Sequence, residues 1–97
     1  MTPSSDGDCR ILKIKNKLGL HARASAKFVN VAAQYDAVIT VSKDGNSVIG
    51  TSIMGLMLLA AGIGDEILVK CEGREKGEAL AAIESLVDDK FGEESEV

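Results

Sequence analysis

The sequence predicts a two-layer α+β fold, in which helices cover one face of a four-stranded sheet. Segments with apolar residues at alternate positions are interleaved with segments of helical periodicity, in the order β-α-β-β-α-β-α. The chain has 97 residues, of which 45% are hydrophobic, and it contains no internal repeat. This length and composition are sufficient for one domain with a single core, and aromatic residues at 3% require that core to be aliphatic.

The first half of the chain supplies five elements of this prediction. They are a strand at residues 10–15, a loop at 16–20, a helix at 22–34, and strands at 38–42 and 46–50. In the first strand Leu12 and Ile14 alternate with lysines, and the helix carries Phe28 on its apolar face. Asp44-Gly45 separates the last two strands and predicts a hairpin with a type I′ turn, because both positions favour positive φ.

The second half supplies a short apolar helix, a strand and a longer helix. They are predicted at residues 52–59, 66–71 and 75–87. Ser52 is a plausible N-cap for the short helix, because its hydroxyl can accept a backbone N–H that has no intrahelical partner. The strand has Ile67 and Val69 on one face, and the last helix has a buried stripe. The stripe consists of Ala79, Leu80, Ile83, Leu86 and Val87.

Charge is distributed unevenly along the chain. The formal net charge is −4, and residues 88–97, with five acids and one lysine, account for all of it. Residues 10–27 contain six basic residues and no acid. Such a positive region suits a phosphate or an acidic protein surface. Binding to nucleic acid is not expected, because the whole protein is acidic and has no recognition motif.

Several classes of protein are excluded by what the sequence lacks. The two cysteines, Cys9 and Cys71, are far apart and form no zinc motif, so we expect no metal site. The N-terminal residues lack the apolar core of an export signal, and the longest apolar stretch, 53–63, is too short to span a bilayer. We therefore expect one cytoplasmic domain over residues 1–97, with free thiols, no membrane association and flexible termini at 1–8 and 92–97.

His21, the only histidine, is the first candidate for chemistry. It lies at the predicted start of a basic helix, where unpaired backbone N–H groups and the helix dipole attract anions. A histidine there can act as a nucleophile toward a phosphoryl group, with Arg23 stabilising the transferred charge. The alternatives are a capping or surface histidine, a metal ligand, and a hydrolase histidine. The last two have no supporting motif in this sequence.

Two segments resemble the signatures of the HPr family, the histidine-containing phosphocarriers of the bacterial phosphotransferase system. Residues 18–26 (LGLHARASA) are similar to the active-site motif, and residues 52–57 (SIMGLM) to the segment around the regulatory serine. Residues 16–19 and 46–49 are also similar to the nitrogen-branch paralogue, NPr. The similarity extends over about residues 9–91. One difference is Ala24, where many family members have proline; alanine also favours a helix.

The resemblance implies a specific set of expectations. The sheet should be antiparallel, and His21 should accept a phosphoryl group through Nδ1 from Enzyme I and pass it to an EIIA-type protein. No cofactor should be needed, and the protein should act as a monomeric stoichiometric carrier rather than an enzyme. Ser52 should be a regulatory phosphorylation site for an HPr kinase/phosphorylase. The residues themselves also suggest a partner-docking surface: Ile53, Met54 and Met57 if they are exposed, and Lys27, which lies one helical turn from Arg23.

Two further functions remain open at this point. The protein could be a regulatory binding module, in which phosphorylation selects a protein partner and sugar transport is irrelevant. It could also be a ligand-binding α+β domain, although an aliphatic core of this size does not indicate a pocket. Whether the chain belongs to a carbohydrate or a nitrogen-regulatory branch does not follow from the residues.

Overall fold

The computed structural model describes residues 7–93, and its elements follow the predicted order. The strands are β1 (Gly7–Lys13), β2 (Val38–Lys43), β3 (Asn46–Ile49) and β4 (Glu66–Glu72). The helices are α1 (Ala22–Ala32), α2 (Ile53–Leu58) and α3 (Lys76–Asp88), and a short 3₁₀ turn follows at Lys90–Gly92. In the described part of the chain, no helix is long and apolar enough to cross a membrane.

The strands form one antiparallel sheet in the order β1-β4-β2-β3. In the register of this sheet Leu12 of β1 pairs with Ile67 of β4, and Val41 of β2 pairs with Val69 of β4. All four side chains are buried in the core that the helices complete. One face of the sheet is therefore covered by helices, as expected where apolar and polar residues alternate along antiparallel strands. The predicted two-layer α+β fold is confirmed.

The β2–β3 hairpin has the turn that its sequence predicts. Asp44 and Gly45 have φ values of 53° and 85°, so both turn positions are in the left-handed region. The core is aliphatic apart from Cys71 and two aromatic residues, Phe28 of α1 and Phe91 of the 3₁₀ turn, both of which are fully buried. Phe91 closes the core at the end of the molecule where α1 begins and the described chain ends.

The boundaries of several elements differ from those predicted. β1 begins at Gly7, because Gly7 and Asp8 pair with the last residues of β4, so these two do not belong to a flexible terminus. At the other end Gly92 belongs to the 3₁₀ turn. Residues 1–6 and 94–97, the rest of the predicted flexible termini, lie outside the described residues. α1 ends at Ala32 rather than at residue 34.

The two cysteines are free thiols on opposite faces of the sheet. β1 and β4 are neighbours, but the residue opposite Cys71 is Asp8, and Cys9 lies opposite Lys70. Cys9 is exposed, and Cys71 lies in the core, where burial raises the pKa of its thiol to about 11. Because side chains alternate between the faces of a strand, this register separates the two sulfur atoms.

Candidate functional site

His21 is the N-cap residue of α1, as the sequence predicts. Its backbone is extended, with φ −76° and ψ −177°, and its carbonyl accepts the first helical hydrogen bond from Ser25 N at 2.8 Å. The imidazole makes no capping hydrogen bond to the helix, so the N–H groups of the first turn are not satisfied by this side chain. The side chain is 29% exposed. The ring is therefore reachable from solvent and lies beside backbone N–H groups that have no partner within their own helix.

The loop that carries His21 is held by a hydrogen bond to the segment between α2 and β4 and by a second bond within the loop. Leu20 N donates to the carbonyl of Ala61 at 2.9 Å, and the buried Asn16 side chain donates to the carbonyl of Gly19 at 2.8 Å. Gly19 has a φ of +64°, and a Cβ atom there would lie 2.3 Å from the Ala61 carbonyl oxygen. Only glycine satisfies both conditions, so the position of His21 depends on it.

Arg23, the second predicted site residue, is exposed in the first turn of α1. Within residues 7–93 its side chain makes no hydrogen bond or ion pair. Other cations of the predicted basic region are already paired: Arg10 bonds to Glu84, and Lys15 lies 2.9 Å from Asp88, both on α3. Part of the positive charge of residues 10–27 is thus neutralised, whereas Arg23 remains unpaired within the described residues.

The remaining wall of the site comes from the 3₁₀ turn and the residue after it. Together with the start of α1 these residues line a cleft of about 320 Å³. Lys27 Nζ donates to the carbonyl of Phe91 at 2.9 Å, which ties the turn to α1. Lys27 was predicted as a partner contact; in this structure its ammonium group binds the chain's own C-terminal segment. The lining residues are Leu18, His21, Arg23, Ala24, Lys27, Phe91, Gly92 and Glu93.

Glu93 is a site residue that sequence reasoning missed. Its Oε2 lies 3.8 Å from His21 Nε2, and its Oε1 accepts a hydrogen bond from Leu18 N at 3.4 Å. The Glu93 side chain is only 18% exposed. In the sequence Glu93 is one acid among several in an unpatterned tail, and nothing there connects it with a histidine 72 positions earlier. A buried Phe91 two residues before it is the one local signal for docking of this segment.

Ser52, the third predicted site residue, is the N-cap of α2 and caps it with its side chain. Its Oγ accepts a hydrogen bond from Gly55 N at 2.9 Å. A Cβ atom at Gly55 would lie 3.0 Å from both Ser52 Oγ and Val48 Cβ, so the glycine lets the cap approach the helix closely. The hydroxyl is half-buried and already has a structural role.

The predicted docking residues lie on the surface of α2. Ile53, Met54 and Met57 are exposed, and Leu56, between them, belongs to the core. Leu58, which was not predicted, is the most exposed large apolar residue on this helix at 79%. α2 packs against α1, the helix that begins at His21. A contiguous apolar surface of this kind on a small domain is typical of a site for protein contacts.

Nothing in the described part of the chain forms a metal site. No group of three or more His, Cys, Asp or Glu side chains among residues 7–93 has the arrangement that could hold a metal ion. The groups available for chemistry at the cleft are therefore an imidazole, a guanidinium, an ammonium, a carboxylate and the backbone N–H groups of α1. This set can receive and stabilise an anionic group on a histidine nitrogen.

Comparison with known proteins agrees with this chemistry. Residues 9–89 match the protein family described as PTS HPr component phosphorylation site. Phosphocarrier protein HPr of Cupriavidus necator is 45% identical over 80 residues, which cover 82% of this chain and 90% of that protein. Phosphocarrier protein NPr of Shewanella violacea is 42% identical over 86 residues, covering 89% of this chain and 94% of that protein. The chain belongs to the PTS HPr family.

A solved structure of the HPr family has the same fold. HPr-C-His from Thermoanaerobacter tengcongensis superimposes with a TM-score of 0.87 at 41% identity, covering 91% of this chain and 99% of that one. The chain is thus a phosphocarrier of the HPr/NPr type, and such proteins are phosphotransfer carriers rather than catalysts. Relatives named HPr and NPr match this chain at similar identity.

Proposed function

We propose that His21 is the residue that accepts the phosphoryl group. The observation that carries this proposal is that His21 begins α1 without capping it, so the imidazole and the unpaired N–H groups of the first turn face the same cleft. In the transfer a bond forms between an imidazole nitrogen and phosphorus as the bond from phosphorus to the donor breaks. The helix N-terminus and Arg23 then stabilise the negative charge on the transferred group.

The donor and acceptor of this group are the expected partners of the family. Enzyme I, charged from phosphoenolpyruvate, delivers the phosphoryl group, and an EIIA-type protein removes it. The exposed side chains of Ile53, Met54 and Met57 provide an apolar docking surface, and Lys27 adds positive charge at the edge of the cleft. The protein acts in the cytoplasm as a monomer and needs no cofactor, because each step transfers the group between proteins.

Ser52 is proposed as a second, regulatory phosphorylation site used by an ATP-dependent HPr kinase/phosphorylase. Its hydroxyl is half-buried at the start of α2, directly before the exposed side chains of Ile53 and Met54. A phosphate there would carry a charge of about −1.5 to −2 into the docking surface. Enzyme I brings a phosphoryl group of the same sign toward this surface, so the modification should slow the loading of His21.

The same Ser52 geometry favours a second candidate function. A serine whose modification alters an apolar protein-contact surface can select partners, and the protein would then be a regulatory module without a role in sugar transport. Affinity capture with each phosphorylated form separates the two functions. A carrier passes its label to an EIIA-type protein, whereas a module binds a partner in one form and passes on no label.

The experiment that tests the leading function is labelling with phosphoenolpyruvate and Enzyme I. The wild-type protein should acquire a phosphoramidate, which is labile in acid and stable in base, and His21→Ala should acquire none. Asn30→Ala, at an exposed position farther along α1, is the matched control and should label normally. Undiminished labelling of His21→Ala would rule out this assignment.

A further inference from the structure

The C-terminal segment reaches His21 through a backbone arrangement that is costly to form. Lys90, Phe91 and Gly92 have φ values of 58°, 56° and 71°, so three successive residues lie in the left-handed region. For the two that are not glycine this conformation is unfavourable, and it persists only where surrounding contacts hold it. Burial of Phe91 and the hydrogen bond from Lys27 Nζ to its carbonyl are those contacts. Their consequence is that Glu93 lies against the imidazole.

The carboxylate of Glu93 lies in the region that a phosphoryl group must approach. Its Oε2 is 3.8 Å from Nε2, so a group on Nε2 would meet the carboxylate directly. A group on Nδ1 would lie on the other side of the imidazole ring. Its distance from the Glu93 carboxylate would still be within the electrostatic screening length, which is about 8 Å at physiological ionic strength. The carboxylate is held by Leu18 N and is largely screened from solvent by the cleft, which limits its ability to move away.

We propose that Glu93 destabilises the phosphorylated state of His21 and thereby raises the tendency of the protein to pass the group on. This inference rests on the proposed phosphorylation of His21. A carrier must receive the phosphoryl group and also release it, so a site composed only of cations and helix N–H groups would retain it. Arg23 and the start of α1 stabilise the dianion, and Glu93 opposes them with a charge of the same sign as the group. Lys27 also lines the cleft and keeps its charge while donating to the neutral Phe91 carbonyl, so it acts with Arg23 and is opposed by Glu93 in the same way.

A competition between two carriers measures this effect as an equilibrium. Wild-type protein and Glu93→Gln, one of them labelled with heavy isotopes, are mixed in equal amounts with a limited supply of phosphoryl groups and catalytic Enzyme I. The net reaction breaks an N–P bond on one carrier and forms the same bond on the other, and Enzyme I is regenerated, so no co-reactant enters. Intact-mass spectrometry in alkaline solution then gives the ratio of the two phosphorylated forms.

The phosphoryl group should accumulate on Glu93→Gln, with a ratio of roughly three- to tenfold from the repulsion between one carboxylate and a dianion at this separation. Glu78→Gln removes a carboxylate from an exposed position in the first turn of α3 that does not line the cleft, and it should give a ratio near one. Glutamine keeps an oxygen that can accept from Leu18 N, so a role of Glu93 only in holding this loop predicts a ratio near one. Equal partition between wild type and Glu93→Gln would overturn the proposal, as would accumulation on the wild type.

Failure of this proposal is distinguishable from failure of the proposed function. If neither carrier acquires an acid-labile group from Enzyme I, His21 is not the acceptor and the function itself is wrong. If both acquire it and share it equally, His21 is the acceptor and Glu93 has no part in setting its transfer potential.

Discussion

The helices α1 and α2 begin in opposite ways, although both start at a predicted functional residue. Ser52 caps α2 with its own hydroxyl, which accepts from Gly55 N at 2.9 Å. His21 begins α1 with extended backbone and no capping bond from its side chain. A serine at an N-cap satisfies an N–H group that would otherwise be unpaired, whereas a histidine that does not cap leaves the first turn available to another acceptor.

This difference separates a helix start that is stabilised by its own side chain from one whose side chain leaves the first turn uncapped. At α2 the Ser52 hydroxyl already accepts a hydrogen bond from its own helix. A modification of Ser52 would therefore act by changing the charge of the surface around this residue. At α1 the protein forgoes the stabilisation of a cap, and Arg23, whose side chain has no partner within residues 7–93, lies in the same turn. An anion on His21 would supply the missing acceptor. Substitutions that give α1 a capping side chain, or remove the capping side chain from α2, therefore test what each N-cap residue contributes.

The largest effect is expected when α1 is given the cap of α2. His21→Ser should abolish acid-labile labelling completely, because the nucleophilic nitrogen is lost. The same change should stabilise the fold by about 1 kcal/mol, since serine is among the preferred N-cap residues. For a domain of this size that corresponds to a rise in Tm of about 4–8 °C. Labelling and thermal unfolding of one purified sample measure both effects.

A fall in Tm for His21→Ser would mean that the imidazole contributes more through packing than the missing cap costs. His21→Ala serves as the control, because it removes the nucleophile without adding a cap. It should lose labelling to the same extent and show no rise in Tm.

The next largest effect is expected at Arg23. Arg23→Ala should slow phosphotransfer from Enzyme I roughly 10- to 100-fold, because one charged donor to the transferred group is lost. Its Tm should change little, since an exposed side chain without partners in the described structure contributes within about 0.5 kcal/mol. Rapid-quench kinetics and thermal unfolding check the two halves of this prediction.

Arg23→Lys sharpens the result, because it keeps the charge and loses the planar pair of donors. It should lie between the wild type and Arg23→Ala in rate. Normal transfer rates in Arg23→Ala together with a large loss of stability would reverse the assignment of Arg23 from chemistry to structure.

The sequence predicts the fold and the first turn of α1 well because their signals are local. Alternation of Leu12 and Ile14, the Asp44-Gly45 turn and the serine before α2 each act within a few residues, and each is confirmed. Each predicted helix and strand, and each of the two motifs, is also one continuous segment of the sequence. Burial on one face of a strand or helix follows from such patterns through geometry alone.

The missed part of the site depends on contacts between distant segments. Glu93 reaches His21 because Phe91 enters the core and Lys27 bonds to its carbonyl, and neither event has a periodic signal. The pairing of Arg10 and Lys15 with acids of α3 is hidden for the same reason, so the basic region predicted from residues 10–27 is partly neutralised. Such pairings depend on how α3 lies beside β1, which composition does not specify.

A smaller effect is expected from charge at the start of α2. Ser52→Asp should slow the labelling of His21 roughly three- to tenfold, because a negative charge then lies on the surface that Enzyme I approaches with its phosphoryl group. Phosphorylation of Ser52 adds more charge and should slow labelling further. Initial rates of labelling at two salt concentrations test the electrostatic origin, since salt should reduce the difference.

Ser52→Asn is the matched variant for this test. Asparagine caps a helix as well as aspartate does but carries no charge, so it should label at close to the wild-type rate. Equal rates for wild type, Ser52→Asp and the Ser52-phosphorylated protein would show that Ser52 is only a helix cap, or that its phosphate acts on another partner.

The smallest effect is expected when α2 loses its cap and α1 is left unchanged. Ser52→Ala removes the oxygen that accepts from Gly55 N, and the loss of such a cap costs about 1 kcal/mol of unfolding free energy. Thr51→Ala, at the exposed position immediately before, should stay within about 0.5 kcal/mol of the wild type. Urea unfolding measures both values.

The effect of Ser52→Ala on function should be opposite to that of a substitution at His21. Ser52→Ala should weaken the fold yet label at His21 at nearly the normal rate, because Ser52 does not line the cleft. A marked fall in labelling of the folded variant would mean that the capping bond of α2 helps to position the cleft at α1, and that the two helix starts are not independent.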